Sequence, residues 1–258
     1  MMKHYLHEDL CYRDIHRDGK PYYQHEAGHS CDPDLLHLFS WDSFPGKGSE
    51  ILELGCGDGF VTAILASMGL SVTGVDCSPT AIHHAEKNLA QAGHAATLHV
   101  GDACSLDFIE SESCRYVLDC HCLHCITDYR DRACFLRECR RVMAPMGKLF
   151  LATMGEQSME WTKTMPLSEW KKARNSDFRL DERGCYVQSL VPPGMSERVN
   201  LRIYVREKIL REELRTADLV ITRFQRFAPE ADPGDITFLV EAQRQEDNTT
   251  TEWTPTSA

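Results

Sequence analysis

The feature that most constrains the fold is a regular alternation of short apolar strands and amphipathic helices that begins at Glu50. The helices carry apolar residues at three- and four-residue spacing, and Gly69 and Gly93 mark two of their ends. Such an alternation predicts a parallel sheet covered on both faces through right-handed crossovers. The predicted strands are 50–54, 71–76, 96–102, 115–120 and 148–154.

The last part of the chain changes this pattern. After an interruption at 155–204, which contains a candidate hairpin over 178–204, a helix is predicted at 206–217. Strands at 220–227 and 236–242 follow, and their short, helix-free connection predicts antiparallel pairing. The expected fold is therefore α/β: a Rossmann-like, seven-stranded, mostly parallel sheet with one antiparallel edge strand.

The predicted domain organisation has three parts. Residues 1–48, with one helical pattern around 33–39, are expected to form an N-terminal cap or lid. Residues 49–243 are expected to form one α/β domain that contains residues 155–204 as an insertion. Residues 244–258, with a run of threonines, are expected to be a flexible tail.

Composition and charge limit the partners. The chain has 258 residues, of which 42% are hydrophobic, and a net charge of −11. This charge disfavours nucleic acid, whose binding depends on Lys and Arg. Neither a signal peptide nor a run of about 20 apolar residues is recognisable, so no membrane partner and a cytoplasmic location are expected. The 12 cysteines are then expected to be free thiols.

A glycine loop follows the first predicted strand, with the sequence Glu53-Leu54-Gly55-Cys56-Gly57-Asp58-Gly59. Glycines let the backbone turn tightly and approach a ligand, and Asp76 ends the next strand at the distance expected of a ribose-binding carboxylate. A dinucleotide site, however, requires a third glycine where Phe60 stands. Glu53 and Asp58 would also repel a pyrophosphate, whereas they suit the cationic S-adenosylmethionine (SAM).

The stretch from Glu50 to Met154 resembles the class I SAM-dependent methyltransferase family. The resemblance implies that Gly55 and Gly57, with Cys56 between them, face the methionine part of SAM and that Glu53 supports the loop. It further implies the contacts of four residues with the rest of the cofactor: Asp76 with the ribose hydroxyls, Cys77 with the adenine face, and Asp102 and Ala103 with the adenine amino edge. Asp102 could instead be a helix cap.

A cysteine–histidine cluster follows strand four, with the sequence Asp119-Cys120-His121-Cys122-Leu123-His124-Cys125. The resemblance places it where SAM meets the methyl acceptor. Asp119 and Cys120 are expected to belong to the cofactor-binding site. Three interpretations remain open. The cluster could be ordinary core and pocket packing. His121 or His124 could be a general base. The cysteines could bind a soft metal or metalloid, although their spacing is not a usual zinc pattern, and no metal site is predicted.

Two segments, residues 1–48 and 155–204, are candidate lids that select the acceptor. The first is rich in aromatic and His side chains, and the second contains Trp161, Trp170, Phe178 and Tyr186. These side chains could equally pack within the protein. Arg202, Arg206 or Lys171-Lys172 could bind an acceptor carboxylate. The residues of the first segment are Tyr12, Tyr22, Tyr23, His25, His29 and Trp41.

The expected function is transfer of a methyl group from SAM to an O, N or S nucleophile of a small molecule. One alternative is a thiol or metalloid methyltransferase that uses the cluster 120–125. Less favoured alternatives are an NAD-dependent oxidoreductase and a non-catalytic module that binds SAM or a metal.

Overall fold

The computed structural model describes residues 5–15, 32–156, 177–190, 199–228 and 236–245. The predicted turn at Pro192, the aromatic residues Trp161 and Trp170, and Lys171-Lys172 lie outside the described residues. Ten strands and six helices are named below in chain order within the described ranges.

Seven strands form the central sheet in the order β3-β2-β1-β4-β5-β10-β9. Strands β1 to β5 pair in parallel, and β10 runs antiparallel to both β5 and the edge strand β9. The predicted seven-stranded, mostly parallel sheet is confirmed, as is the antiparallel pairing of the last two strands. The strands are β1 (Glu50–Leu54), β2 (Ser71–Asp76), β3 (Thr97–Val100), β4 (Cys114–Cys120), β5 (Met143–Met154), β9 (Leu219–Phe227) and β10 (Thr237–Arg244).

The helices agree with the sequence pattern in all cases but one. Ser78 caps the N-terminus of α4 and Gly93 ends it in a left-handed conformation, as their residue types predict. Helix α1 was not predicted, because its sequence lacks a clear apolar stripe. The helices are α1 (Tyr5–Ile15), α2 (Pro33–Phe39), α3 (Phe60–Ser67), α4 (Pro79–Ala92), α5 (Tyr129–Val142) and α6 (Glu207–Thr216).

Two hydrophobic cores lie on opposite faces of the sheet. Alternating strand residues separate between them: Val117 and Leu149 join the core that also contains α5 and α6, whereas Leu118 and Phe150 join the core that contains α2 and α3. Both faces of β4 and β5 are therefore buried, which fixes the register of the strands that bear the site.

The insertion forms a second sheet rather than the single predicted hairpin. Strands β6 (Asp177–Leu180), β7 (Tyr186–Leu190) and β8 (Val199–Tyr204) make a three-stranded antiparallel meander. The prediction missed the tight turn before β7, where Gly184 has a φ of 77°. The small sheet packs against the loop that follows β4.

The order of the central sheet reverses between β1 and β4, since β1 leads outward to β2 and β3 while β4 leads to β5. In open α/β sheets, the crevice beyond the carboxyl ends of strands at such a reversal is where ligands bind. The loops that follow β1 and β4 flank this crevice.

Candidate active site

The glycine loop after β1 has a backbone that only glycine adopts readily. Gly55, Gly57 and Gly59 have φ values of 73°, 56° and 82°. A Cβ on Gly55 would stand 2.5 Å from the Cβ of Cys122, and a Cβ on Gly57 would stand 2.6 Å from the hydroxyl oxygen of Tyr12. The bare backbone therefore allows the loops and α1 to converge on the crevice.

Asp76, at the end of β2, holds this loop in place. Its Oδ2 accepts a hydrogen bond from the Gly57 N–H at 2.9 Å, and its Oδ1 accepts one from the Ser78 N–H at 2.8 Å. Burial raises the pKa of the carboxyl, although these two hydrogen bonds oppose the shift. Each carboxylate oxygen can accept more than one hydrogen bond, so the group can also bind a ligand hydroxyl.

Glu53 lies beneath the loop and is fully buried. Its Oε2 accepts a hydrogen bond from the Thr62 hydroxyl at 2.6 Å. Burial raises the pKa of Glu53 to about 8, and the nearby Asp76 charge adds to this effect. A cation bound beside Glu53 would favour its ionised form.

A first cavity, called cavity A, opens beyond β2 and β3 and has a volume of about 90 Å³. It is lined by four of the residues predicted to contact the ribose and adenine of SAM, namely Asp76, Cys77, Asp102 and Ala103. The side chain of Asp102 also accepts a hydrogen bond from the Cys104 N–H at 2.8 Å, so it caps the following turn as well. Both interpretations of Asp102 are thus compatible with its position.

A second cavity, called cavity B, adjoins cavity A and has a volume of about 380 Å³, within the range of small-molecule pockets. Its lining includes the loop residues Glu53, Gly55, Cys56, Gly57 and Asp58 and residues of β5, β8 and β10. Cys120, His121 and His124 lie along its wall. The five residues that line both cavities are Glu8, Tyr12, Gly55, His121 and Cys125.

Helix α1 covers the junction of the two cavities. Glu8 and Tyr12 lie one helical turn apart and line both cavities. Asp9 fixes the helix to α4, since it accepts hydrogen bonds from the Ser78 hydroxyl at 2.7 Å and the Thr80 N–H at 3.2 Å. Burial raises the pKa of Glu8 to about 7, against the opposing charge of Arg202. Sequence reasoning did not single out Glu8, because the helix itself was not predicted.

The loop after β4 is organised by Asp119. This fully buried carboxylate lines neither cavity; it accepts hydrogen bonds from the N–H groups of Cys122 and Leu123 at 2.7 and 3.0 Å. The structure therefore places Asp119 behind the site, where it shapes the loop. The turn brings His121 into the left-handed region, with a φ of 66°, which is strained for a residue with a Cβ.

His121 is paired with Asp34, an acid on α2 that sequence reasoning did not identify. The His121 Nε2 lies 3.0 Å from the Asp34 Oδ2, which also accepts a hydrogen bond from the Thr237 hydroxyl at 2.8 Å. Burial alone would lower the pKa of His121, but the hydrogen bond and charge of Asp34 outweigh it and raise the pKa. Nδ1 of His121 is buried and has no hydrogen-bond partner among the described residues.

His124 lies beside His121, with ring centroids 5.3 Å apart, but in a different electrostatic environment. Burial and the nearby cationic side chains of His121 and Arg202 lower its pKa well below the usual value. The ring is therefore neutral near pH 7. Its Nδ1 is also buried without a partner among the described residues.

Two cysteines of the cluster, Cys122 and Cys125, have the character of protonated, partly buried thiols. Burial raises the pKa of Cys122 well above its usual value and that of Cys125 to about 12. A thiolate is the form that attacks electrophiles or binds metals, so these shifts disfavour both roles. In the part of the chain that the structure describes, no group of three His, Cys, Asp or Glu side chains could hold a metal ion.

The aromatic residues of the two predicted lids divide between packing and the cavities. Tyr12 lines both cavities, whereas Trp41 is buried in the core with Leu35 and Leu38. Phe178 packs with Tyr204 and Tyr186 within the small sheet. Tyr22, Tyr23, His25 and His29 lie outside the described residues.

None of the helices in the described ranges is long and apolar enough to cross a membrane.

Known proteins match this chain mainly in its central part. Residues 51–147 match the family described as methyltransferase domain. Ubiquinone biosynthesis O-methyltransferases of Xanthomonas axonopodis and Coxiella burnetii are each 26% identical, over 126 and 154 residues. These matches cover 49% and 58% of this chain, and the chain spans only 51% and 61% of the two relatives.

Solved structures share the fold over most of the chain. A SAM-dependent methyltransferase of Methanosarcina mazei superposes with a TM-score of 0.61 at 23% identity, covering 84% of this chain and 99% of that one. The 1,6-didemethyltoxoflavin-N1-methyltransferase of Burkholderia thailandensis, solved with its acceptor and S-adenosylhomocysteine, gives 0.63 at 17% identity and covers 95% and 92%. Residues 51–147 are therefore similar to methyltransferase domains, and the chain shares the fold of these two SAM-dependent methyltransferases.

Proposed function

We propose that this protein transfers a methyl group from SAM to a hydroxyl or N–H group of a small molecule, with His121 as the general base. The observation that carries the proposal is the Asp34–His121 pair, whose ring lines both cavities and whose Nδ1 has no partner among the described residues. The match to methyltransferase domains and the acceptors named for two relatives support a small-molecule substrate.

The cofactor site fits SAM on the character of its residues. Glycines with positive φ leave backbone exposed at the junction, and carboxylates surround a ligand that carries an ammonium and a sulfonium. We propose that Gly55, Gly57 and Glu53 hold the methionine part, and that Asp76, Cys77, Asp102 and Ala103 hold the adenosine part. When bound, SAM supplies a methyl group on a sulfonium that is already a good leaving group.

The residues of the chain then have to position the acceptor and remove its proton. Cavity B holds the acceptor beside His121, and Asp34 keeps the Nε2–H of the ring directed away from it. Nδ1 takes the acceptor proton as the acceptor oxygen or nitrogen bonds to the methyl carbon. The resulting imidazolium is stabilised by the Asp34 carboxylate. Helix α1 and the small sheet exclude water from the junction.

His121 is a better candidate than His124 for this role. The pKa of His121 is raised by Asp34, whereas that of His124 is lowered by burial and by its cationic neighbours. A base with a raised pKa accepts a proton more readily. His124 is neutral and can hydrogen-bond the acceptor without carrying the proton.

The test combines a binding measurement with turnover. Calorimetric titration of the wild type with SAM and S-adenosylhomocysteine should show binding that Asp76→Ala weakens. His121→Asn should bind both ligands normally but lose about 10²- to 10⁴-fold in methyl transfer to a panel of phenols, amines and thiols. His83→Asn, an exposed position on α4, is the matched control. Absence of SAM binding to the wild type would refute the proposal.

A further inference from the structure

Glu8 is the acid that lies where cavities A and B meet. Among the described residues that line both cavities, it is the only carboxylate. Its neighbour Asp9 fixes helix α1 to α4 through hydrogen bonds with Ser78 and Thr80. The position of Glu8 therefore does not depend on contacts of its own side chain. The other four residues that line both cavities are Tyr12, Gly55, His121 and Cys125.

The Glu8 carboxylate makes neither a hydrogen bond nor an ion pair with another described residue. Burial raises its pKa to about 7, because its surroundings replace only part of the water that an ionised carboxylate needs. A partly desolvated carboxylate without a partner is costly unless a ligand supplies the opposing charge or donor. Glu8 therefore has the properties of a ligand-binding group rather than of a group that stabilises the fold.

Several charged or titratable groups act on Glu8 from outside α1. The positive charge of Arg202, on β8, favours the ionised form of Glu8, whereas Asp76, at the end of β2, opposes it. The thiols of Cys77 and Cys125 are also near Glu8, and burial raises the pKa of both, so they are neutral near pH 7.

The two arginines that the sequence offered as ligand-binding candidates lie in different places. Arg202 lines cavity B but not cavity A, so it is not part of the junction. Arg206 lies 3.1 Å from Glu156 and lines a separate, open pocket. Neither of them lines both cavities, and Glu8 is thus the charged side chain closest to the junction that pairs with no other described residue.

The proposed arrangement of SAM puts its sulfur at this junction. The adenosine part lies in cavity A beside Asp76, and the methionine part lies against Gly55 and Gly57 in cavity B. The sulfur atom links these two parts and carries a permanent positive charge. S-adenosylhomocysteine has the same two parts joined by a neutral sulfur. The two ligands therefore differ only at the position next to Glu8.

We infer that Glu8 is a specificity-determining residue of the cofactor site: its carboxylate attracts the sulfonium of SAM and so favours SAM over S-adenosylhomocysteine. This inference rests on the proposed function and adds a role for α1. Glu8 makes and breaks no bond in the reaction. Its attraction ends when the methyl group leaves and the sulfur becomes neutral, so the product of SAM is bound less tightly and inhibits turnover less.

The test compares the affinities of the two ligands by calorimetry at pH 8, where Glu8 is mostly ionised. Glu8→Gln keeps the shape of the side chain and removes its charge. An opposite charge within about 4–6 Å favours an ionised group by roughly 1–3 pKa units. The variant should therefore lower the ratio of SAM affinity to S-adenosylhomocysteine affinity by about tenfold or more. Glu8→Asp, which keeps the charge on a shorter side chain, should lie between the wild type and Glu8→Gln.

Glu86→Gln is the matched control, because it removes the same charge from an exposed position on α4 that lines neither cavity. It should keep the wild-type ratio. A purely structural role of Glu8 would weaken both ligands equally. An unchanged ratio in Glu8→Gln, including an equal loss of both ligands, therefore overturns the inference and leaves the proposed function standing. If the wild type binds neither ligand, the proposed function fails instead.

Discussion

The Nε2 of His121 lies 3.0 Å from the Oδ2 of Asp34, although 87 positions separate the two residues in the chain. Asp34 belongs to α2, outside the segment that matches the methyltransferase domain family, while His121 lies within it. The pair therefore joins the matched domain to a helix that precedes it in the chain. It raises the pKa of a histidine that burial would otherwise lower.

This relationship predicts a change in the pH dependence of turnover. The wild-type kcat/KM should rise with pH as His121 loses its proton, with a limb above the usual pKa of histidine. In Asp34→Asn the carboxylate charge is gone and burial dominates, so the limb should move to lower pH. The plateau should also fall by about 10²-fold or more, because the ring is no longer oriented and its imidazolium is no longer stabilised.

The measurement is kcat/KM from pH 5 to 9 for the wild type, Asp34→Asn and Asp42→Asn, the last at a position just beyond the same helix. The control should reproduce the wild-type profile. If Asp34→Asn lowers the plateau without moving the limb, Asp34 does not set the pKa of the base.

Glu53 predicts a pH dependence of stability in the protein without SAM. Its pKa is about 8 in the fold, raised by burial, and 4.5 as the reference value. The stability that this group adds is fully present below pH 4.5 and is lost as the pH rises through about 8, because the folded state alone holds the proton in that window. The loss amounts to at most about 1.4 kcal/mol for each pH unit.

Glu53→Gln removes this titration while its amide oxygen can still accept the Thr62 hydrogen bond. The Tm of the variant should therefore fall less than that of the wild type between pH 6 and 9. Glu50→Gln, exposed at the start of the same strand, should follow the wild type. Parallel Tm curves for the wild type and Glu53→Gln would show that Glu53 does not titrate in this range.

Glu53 and Asp34 illustrate which residues of the candidate site could be predicted from the sequence and which could not. Glu53 and Asp76 stand at fixed positions relative to a strand and a glycine loop, so local spacing places them at the crevice. Asp34, Glu8 and Thr237 reach the same space from separate elements, and their roles depend on how α1, α2 and β10 pack against the sheet. No local pattern encodes that packing. Asp119 shows the converse, since its position predicted the cofactor site but its hydrogen bonds turn it toward the loop backbone.

Gly57 predicts a steric effect that depends on α1. The Cβ of Gly57→Ala would stand 2.6 Å from the Tyr12 hydroxyl oxygen, at a φ of 56°. The substitution should weaken SAM binding and destabilise the fold by about 1–2 kcal/mol through backbone strain alone. Tyr12→Phe in the same chain should restore part of the binding, since it removes the clashing atom but not the strain.

The measurement is the SAM affinity and the free energy of unfolding of the two single variants and the double variant. Gly46→Ala, where no atom lies within 4 Å of the added Cβ, is the control and should bind SAM as the wild type does. If the double variant binds no better than Gly57→Ala, Tyr12 does not stand against the glycine loop.

Arg132 connects the loop after β4 to the helix that follows the small sheet. Its fully buried guanidinium donates to the carbonyls of Leu123 and Ile126 at 2.6 and 3.3 Å. Its other nitrogens donate to the two carboxylate oxygens of Glu213, on α6, at 2.9 and 2.7 Å. Removing one partner of such a pair leaves a buried charge without compensation.

Glu213→Gln should therefore lower the free energy of unfolding by about 3–5 kcal/mol, whereas Arg132→Met with Glu213→Met should cost less than either single substitution. Arg215→Met, which breaks an exposed pair with Glu212 on the same helix, should leave urea unfolding unchanged. Because Arg132 binds the carbonyls of the loop that carries His124, the single variants should also show faster hydrogen exchange in that loop than in β2. Exchange that accelerates equally in both places would mean that Arg132 stabilises the fold as a whole and does not specifically order the active-site loop.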